Sequence, residues 1–218
     1  VASWIESLTH FVALHAWLGY LVLFLAAMLE AVPVVGSVIP GSTIILALSA
    51  LVPSGDLDLI GVLLAAAAGA VIGDGVAFWT GHVRQQRILE AWPMSKYPAL
   101  IAQSEAFFHR FGVLAVLFGR FVPPIRAFVP VTAGALGMRP LKFYGINVSA
   151  VMLWAPAHVL PGVLAVSMLH HYSGLPHATG YGKQIWIPAV MVIAALAGAA
   201  TWWWRRRRQV QAAAAAVR

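Results

Sequence analysis

Two arginines, Arg120 and Arg126, stand six residues apart in FGRFVPPIRAFVPVTAGALGM (118–138), a segment that is otherwise apolar and carries Pro123, Pro124 and Pro130. A guanidinium keeps its proton in any protein environment, and placing one at bilayer depth costs about 3 kcal/mol on insertion scales. Each therefore needs a buried anion or a water-filled cavity. On an unbroken helix the two would point about 120° apart, but the Pro123-Pro124 break lets them converge. Two converged guanidiniums, each donating parallel hydrogen bonds, suit a phosphate. The plainer alternative is that each pairs with a carboxylate of the chain or extends to the membrane surface. Proline-broken backbone is tolerated inside a membrane only where protein or water satisfies it, so the segment predicts a re-entrant element lining an anion site.

Two carboxylates lie in comparable settings: Glu30 opens EAVPVVGSVIPGS, and Asp74 sits within AVIGDGVAFWTG. Beside an arginine in a low-dielectric site either can exchange a proton near working pH, which makes both candidate proton carriers; a fixed ion pair is the alternative. Pro33, Pro40 and Gly41 break the backbone after Glu30. Ser42 and Thr43 then offer hydroxyls and amides that could bind an anion or simply cap a helix. Gly134, Asn147 and Trp154 read as structural, with Asn147 placed to hydrogen-bond between helices. His170, His171 and His177 lack metal-ligand spacing, and neither a metal site nor a cofactor is expected.

The elements that must position these residues are membrane-embedded. Of 218 residues, 61% are hydrophobic and 10% charged, with a mean hydropathy of +0.84, far outside soluble composition. The net charge of +7 does not point to nucleic acid, because the basic residues are spread along hydrophobic segments. Topology accounts for them better. Arg84, Arg87 and Lys96, then Arg139 and Lys142, then Arg205 to Arg208 mark the cytoplasmic side, whereas 54–58 carries no basic residue. On that basis 59–81, 143–169 and 185–204 are expected to span the bilayer. Segments 17–52 and 111–138, each beginning and ending on one side, are expected to be re-entrant hairpins. One membrane domain, 1–204, is thus followed by a basic cytoplasmic tail, 205–218, with Trp202 to Trp204 as interfacial anchors. No Lys or Arg precedes Arg84, so the first apolar segment lacks the basic start of a cleavable signal peptide and is expected to remain. Having no cysteine, the chain has no disulfide, thiolate metal site or cysteine nucleophile.

The first third repeats this plan at an offset of about 90 residues: Glu30, Pro33 and Pro40 fall where Arg120, Pro123 and Pro130 fall later. An amphipathic stretch precedes each hairpin, with Trp4, Ile5, Leu8, Phe11 and Val12 in one and Leu100, Ile101, Phe107 and Phe108 in the other. The expected fold is an all-α polytopic membrane protein. It is an inverted repeat of amphipathic helix, re-entrant hairpin and transmembrane helix, plus a C-terminal transmembrane helix. Symmetry would bring Glu30 and Arg120 to equivalent places on opposing hairpin tips, where opposite charges neutralise each other until a substrate separates them.

At these residues the chain resembles the DedA family of bacterial inner-membrane proteins, related to the eukaryotic VTT-domain lipid scramblases, over about residues 20–170. GRFVPPIRAFVPVTAGALGM with FYGINVSAVMLW behind it is similar to the family pattern of R, P, R, P, A-G and M followed by F, N and W. GDGVAFWTG resembles the family's Gly-Asp segment. The resemblance maps the family's acidic residue before the first hairpin tip onto Glu30 and its two essential arginines onto Arg120 and Arg126. Where the family often has a second acidic residue this chain has Ser42, so a two-carboxylate relay would need Asp74 in its place. What the resemblance implies is a non-enzymatic transporter of the bacterial inner membrane with its C-terminus in the cytoplasm. It would move undecaprenyl phosphate, or a related anionic lipid, from the outer to the inner leaflet, coupled to the proton or sodium gradient. A homo-oligomer stays open. Two other readings remain beside it. One is a polyprenyl-diphosphate phosphatase, suggested by Ser42 and Thr43 but lacking a paired-Glu helix motif or a Ser-Arg-Ser segment; the other is an ion-coupled antiporter without a lipid substrate.

Overall fold

Ala16–Glu30 forms helix α1, apolar on every side, and buries Gly19, Leu23, Ala26, Ala27 and Glu30 along one helical face. The computed structural model describes residues 16–38, 41–123, 125–173 and 190. The amphipathic stretch expected at 4–12, Pro40, Pro124, His177, the tail at 205–218 and the span at 185–204 apart from Val190 lie outside these residues, as do the side chains of His170 and His171. α1 stops because Pro33 supplies no amide and disfavours helical geometry at Val32. Val34 then takes φ 69°, a left-handed conformation that a β-branched residue adopts only when its surroundings enforce it. A single turn, α2 (Val35–Val38), and α3 (Gly41–Ser49) carry the chain back. A side chain at Gly41 would collide with the Glu30 carboxylate and the Ala26 carbonyl, so the returning limb lies directly against α1.

Helix α4 (Leu59–Arg84) is capped by Asp58, whose carboxylate accepts from the Gly61 amide at 3.0 Å. The Asp58 amide donates to the Tyr20 hydroxyl at 2.9 Å and so ties α4 to α1. Gly69 and Gly73 of α4 meet the carbonyls of Phe24 and Met28 so closely that a Cβ at either would strike backbone. Small residues at such a crossing are the usual means of helix association in lipid, where apolar burial between helices has little driving force. The opposite face, Leu64, Ile72, Val76, Trp79 and Val83, is exposed, as a lipid-facing stripe should be.

After α5 (Arg87–Glu90) and a 3₁₀ turn (Met94–Lys96), α6 (Pro98–Phe111) buries Ile101 and Ser104 and leaves its charged side outward. Leu100, Phe107 and Phe108 are partly buried against the core, in keeping with the amphipathic helix expected there. Gly112, at φ 57°, closes α6; a 3₁₀ turn (Gly112–Leu114) and the five-residue α7 (Ala115–Gly119) follow. Non-helical backbone then leads to α8 (Phe128–Ala135), in which every residue is buried. Pro130 lies in its first turn, where a missing amide costs nothing. α8 ends at Gly137 (φ 74°), with Met138 N–H donating to Ala133 (3.1 Å) and Gly137 N–H to Gly134 (3.0 Å), a Schellman cap. Gly134 and Gly81 let α8 press on the second half of α4, and the buried hydroxyls of Ser104 and Thr132, 2.7 Å apart, fasten α6 to α8.

The last described element, α9 (Pro140–Ser173), runs for 34 residues despite Pro156 and Pro161. Phe143 stacks on Phe78 at 4.0 Å, and Gly162 brings α9 against the Leu46 carbonyl of α3. The described residues form an all-α membrane protein with no strand. α4 and Pro140–Met168 of α9 are long and apolar enough to cross a bilayer, and so is Pro98–Gly119 taken as one helical run. That last run differs from the expected division into an amphipathic stretch and a hairpin beginning at 111, although Gly112 does interrupt it. The inverted repeat is not established by the element lengths: α1 is continuous over 15 residues, whereas its counterpart is broken at Gly112.

Gly69→Leu should therefore destabilise the protein by about 1–3 kcal/mol through overpacking. Gly145→Ala, where an added Cβ meets nothing within 4 Å in mid-helix, should stabilise it by about 0.5–1 kcal/mol. Thermal unfolding in detergent measures both.

Candidate anion site

Four charged side chains meet where the two reversing segments face α4 and α9. Glu30 is the last residue of α1, Asp74 lies in mid-α4, Arg120 follows α7, and Arg126 sits in the turn before α8. Arg120 Nη1 donates to Asp74 Oδ2, and Arg126 Nη1 forms a salt bridge with Glu30 Oε1 at 2.5 Å. Side-chain exposure is 9% and 3% in the first pair and 22% and 4% in the second, so only Arg126 keeps appreciable contact with the outside. Ser42 Oγ donates to Glu30 Oε1 at 2.5 Å and accepts from Arg126 Nη1 at 3.2 Å, which draws the returning limb of the first reversal into the cluster. The Trp154 ring lies 4.6 Å from the Arg120 guanidinium, a cation–π contact that is strengthened by exclusion of water. Glu30, Asp74, Arg120, Arg126 and Trp154, with Ala27 and Ala31, line a narrow cleft of about 20 Å³.

The pairing is crosswise relative to the symmetry argument. Glu30 takes Arg126 and not Arg120, because Arg120 is held between Trp154 on α9 and Asp74 on α4. Both arginines are thus partnered by carboxylates, the plainer of the two arrangements open from sequence. Their partners do not exhaust the polar valences. Of four buried side-chain polar atoms that lack a hydrogen-bond partner among the described residues, two belong to side chains that line this cleft: Glu30 Oε2 and Arg120 Nε. Asn147 lies level with Asp74, one turn along from the Phe143–Phe78 stack on each helix. A buried polar atom left alone costs about 1–3 kcal/mol, so an unpaired acceptor and an unpaired donor in one cleft are a cost that a polar ligand there would relieve.

The other sequence candidates are scattered by comparison. Thr43 is exposed, one helical step round from Ser42, and does not line the cleft. Gly41 supports the Glu30 carboxylate from below; Pro33 and Pro123 stand in the two turns; Pro130 and Gly134 shape α8. His158 was missed by sequence reasoning. Half-buried, it lies tilted against the Trp154 ring, centroids 4.6 Å apart, and places Nδ1 3.0 Å from the Trp154 carbonyl. The i, i+4 spacing of a tryptophan and a histidine on one helix was the available signal. Among the described residues no group of three or more His, Cys, Asp or Glu is arranged to hold a metal.

Comparison with known proteins decides the family. The sequence profile of the VTT domain matches residues 39–164, a stretch that includes Asp74, both arginines, Asn147 and Trp154. The chain belongs to the VTT-domain, or DedA, family. This VTT-domain chain is 34% identical over 169 residues to inner membrane protein YabI of Escherichia coli, covering 77% of this chain and 66% of that protein. It is 37% identical over 145 residues to uncharacterized membrane protein slr0232 of Synechocystis, covering 63% and 62%. Over 162 residues it is 24% identical to uncharacterized membrane protein BU139 of Buchnera aphidicola, covering 74% and 62%. The chain spans just under two thirds of the length of these relatives. No solved structure matches it.

Removing one partner of a buried ion pair leaves an uncompensated charge, so Asp74→Asn should cost about 3–5 kcal/mol, and the double variant Asp74→Asn/Arg120→Gln should cost clearly less than the sum of its singles. Chemical unfolding in detergent gives the coupling. Strict additivity would mean that the two groups do not interact.

Proposed function

We propose that this protein is a transporter of an anionic lipid phosphate, undecaprenyl phosphate or a related lipid, in the bacterial inner membrane. The observation that carries the reading is the buried cluster of two arginines and two carboxylates with unused hydrogen-bonding atoms in one cleft. Its formal charge is zero. A phosphate monoester brings up to about two negative charges, and to bind both guanidiniums it must displace at least one carboxylate. A carboxylate that loses its guanidinium in a low-dielectric cleft takes up a proton in preference to staying charged. Anion binding and proton uptake are then one event, which couples the lipid to a proton gradient. Glu30 is the carboxylate to be displaced, because its partner Arg126 is the more exposed arginine and Ser42 gives both an alternative contact. Asp74 stays with Arg120 under Trp154.

The packing pattern supports two hairpins acting as opposed gates. α1 and α8 lie on α4, while α3 and α7 lie on α9, so each reversing segment places one limb on each long helix. Such an exchange of limbs is what an inverted repeat with alternating access around a midplane site requires. On this reading the two hairpins enter from opposite leaflets, and the basic tail at 205–218 lies in the cytoplasm. One observation favours catalysis instead: the Ser42 hydroxyl donates to Glu30, as a nucleophile does to its base. Release of phosphate from a polyprenyl diphosphate by the purified protein would establish that alternative.

Reconstituted in liposomes, the protein should move a labelled polyprenyl phosphate between leaflets, and Arg126→Ala should abolish the movement. Arg120→Lys should not restore full activity, since an ammonium lacks the planar fork. Glu30→Gln should flatten the pH dependence of transport more than it weakens lipid binding. Undiminished transport by Arg126→Ala would refute the head-group role.

A further inference from the structure

A second cleft, open and about 1180 Å³, lies away from the buried charges, between the end of α4 and the end of α8. Arg84, Gln85, Gln86 and Arg87 form one wall, and Leu136 and Gly137 are part of the other. Among the described residues no carboxylate lines it, and neither arginine makes a salt bridge. The helix ends beside it are already closed by backbone: Gln85 N–H donates to the Gly81 carbonyl at 2.7 Å, and the Schellman bonds close α8. No side-chain hydrogen bond from either arginine to these carbonyls is found among the described residues. Their interaction with the α4 dipole is the least that they do.

The surroundings point to a lipid. The exposed stripe of α4, Ile72, Val76, Trp79 and Val83, ends at Val83, which borders the cleft next to Arg84. A chain lying along that stripe would bring its head group to the two guanidiniums. Just beyond, Trp92 is 75% exposed with the Lys96 ammonium 6.0 Å above its ring, the aromatic and basic mixture of a membrane–water boundary. Basic pockets between helix ends at that boundary hold anionic head groups.

We propose that this cleft is a second lipid-phosphate site, in which Arg84 and Arg87 hold the head group of an anionic phospholipid whose acyl chain lies on the outer face of α4. The proposal rests on the chain being a membrane protein and not on the transport reading, because the site shares no residue with the buried cluster. Each guanidinium donates to phosphate oxygens, and the Gln85 and Gln86 amides can supply further donors to the head group.

The test is a titration of the purified, detergent-solubilised protein with short-chain phosphatidylglycerol, followed by the rise in melting temperature. Short-chain phosphatidylcholine and inorganic phosphate serve as parallel probes. Phosphatidylglycerol should raise the melting temperature and the other two should not. Arg84→Gln/Arg87→Gln, at two exposed positions, should lower the unliganded melting temperature only slightly, through the lost helix-dipole contact, and weaken the apparent affinity by about 30-fold. The same loss should appear in an Arg126→Lys background, which separates this site from the buried one. An unaltered phosphatidylglycerol titration in the double variant overturns the proposal. Equal stabilisation by phosphatidylcholine, or by phosphate alone, overturns the choice of an anionic lipid.

Discussion

Two guanidiniums and two carboxylates withdrawn from water must balance one another, and most of the fold can be understood as the scaffold that makes them do so. Each buried ion carries a desolvation penalty of several kcal/mol that only close, well-oriented opposite charge offsets. Glu30 can meet this condition because α1 ends on it, turned in by Pro33 and pressed by Gly41. Arg120 and Arg126 meet it because the backbone between α7 and α8 is not helical, which frees side chains six residues apart to reach different partners in one cleft. Asp74 is brought into range by Gly69 and Gly73, which seat α1 against α4 with backbone touching backbone. A larger residue at either position would move α1, and Glu30 with it.

Balance alone would make the cluster inert. A well-packed apolar core of the same volume would serve stability as well or better, so the four charges are weak evidence of a structural role. The atoms left over point elsewhere. A purely structural network would be selected to satisfy Glu30 Oε2 and Arg120 Nε, and it does not. Half-satisfied polar networks are costly where they occur. On the proposed function, the transported ligand removes that cost each time it binds.

The sequence made the charged residues conspicuous for one reason: a charge in an apolar run is expensive, so Glu30, Asp74, Arg120 and Arg126 could be singled out without any knowledge of where they meet. The amphipathic α6 and the long helices α4 and α9 were legible from hydropathy and periodicity. The partnership of the charges was not. Arg120 reaches Asp74 across 46 positions, and such a contact depends on how helices cross, which local pattern does not encode. Ser42 and Thr43 looked equivalent as neighbouring hydroxyls, yet one residue on a helix is a rotation of about 100°, enough to put Ser42 in the cleft and Thr43 outside it. The glycines of α4 read as ordinary small residues until the carbonyls that they admit were seen. Trp154 looked structural because its ring gave no hint that a guanidinium would lie on it.

The asymmetry between the two ion pairs suggests an order of events in the proposed transport. Arg120 is enclosed by Asp74 and by the face of Trp154, and parting it from both would forfeit an ion pair and a cation–π contact together. Arg126 is more than twice as exposed, and its carboxylate is shared with a serine hydroxyl that can follow either partner. An incoming phosphate therefore meets Arg126 first and competes there with Glu30 alone. Once Glu30 is displaced and protonated, the bound phosphate lies beside the unused Nε of Arg120 and gains a second guanidinium without breaking the Asp74 pair. On that proposal the chain presents two arginines to one anion while discharging only one carboxylate, and one proton balances a singly charged phosphate.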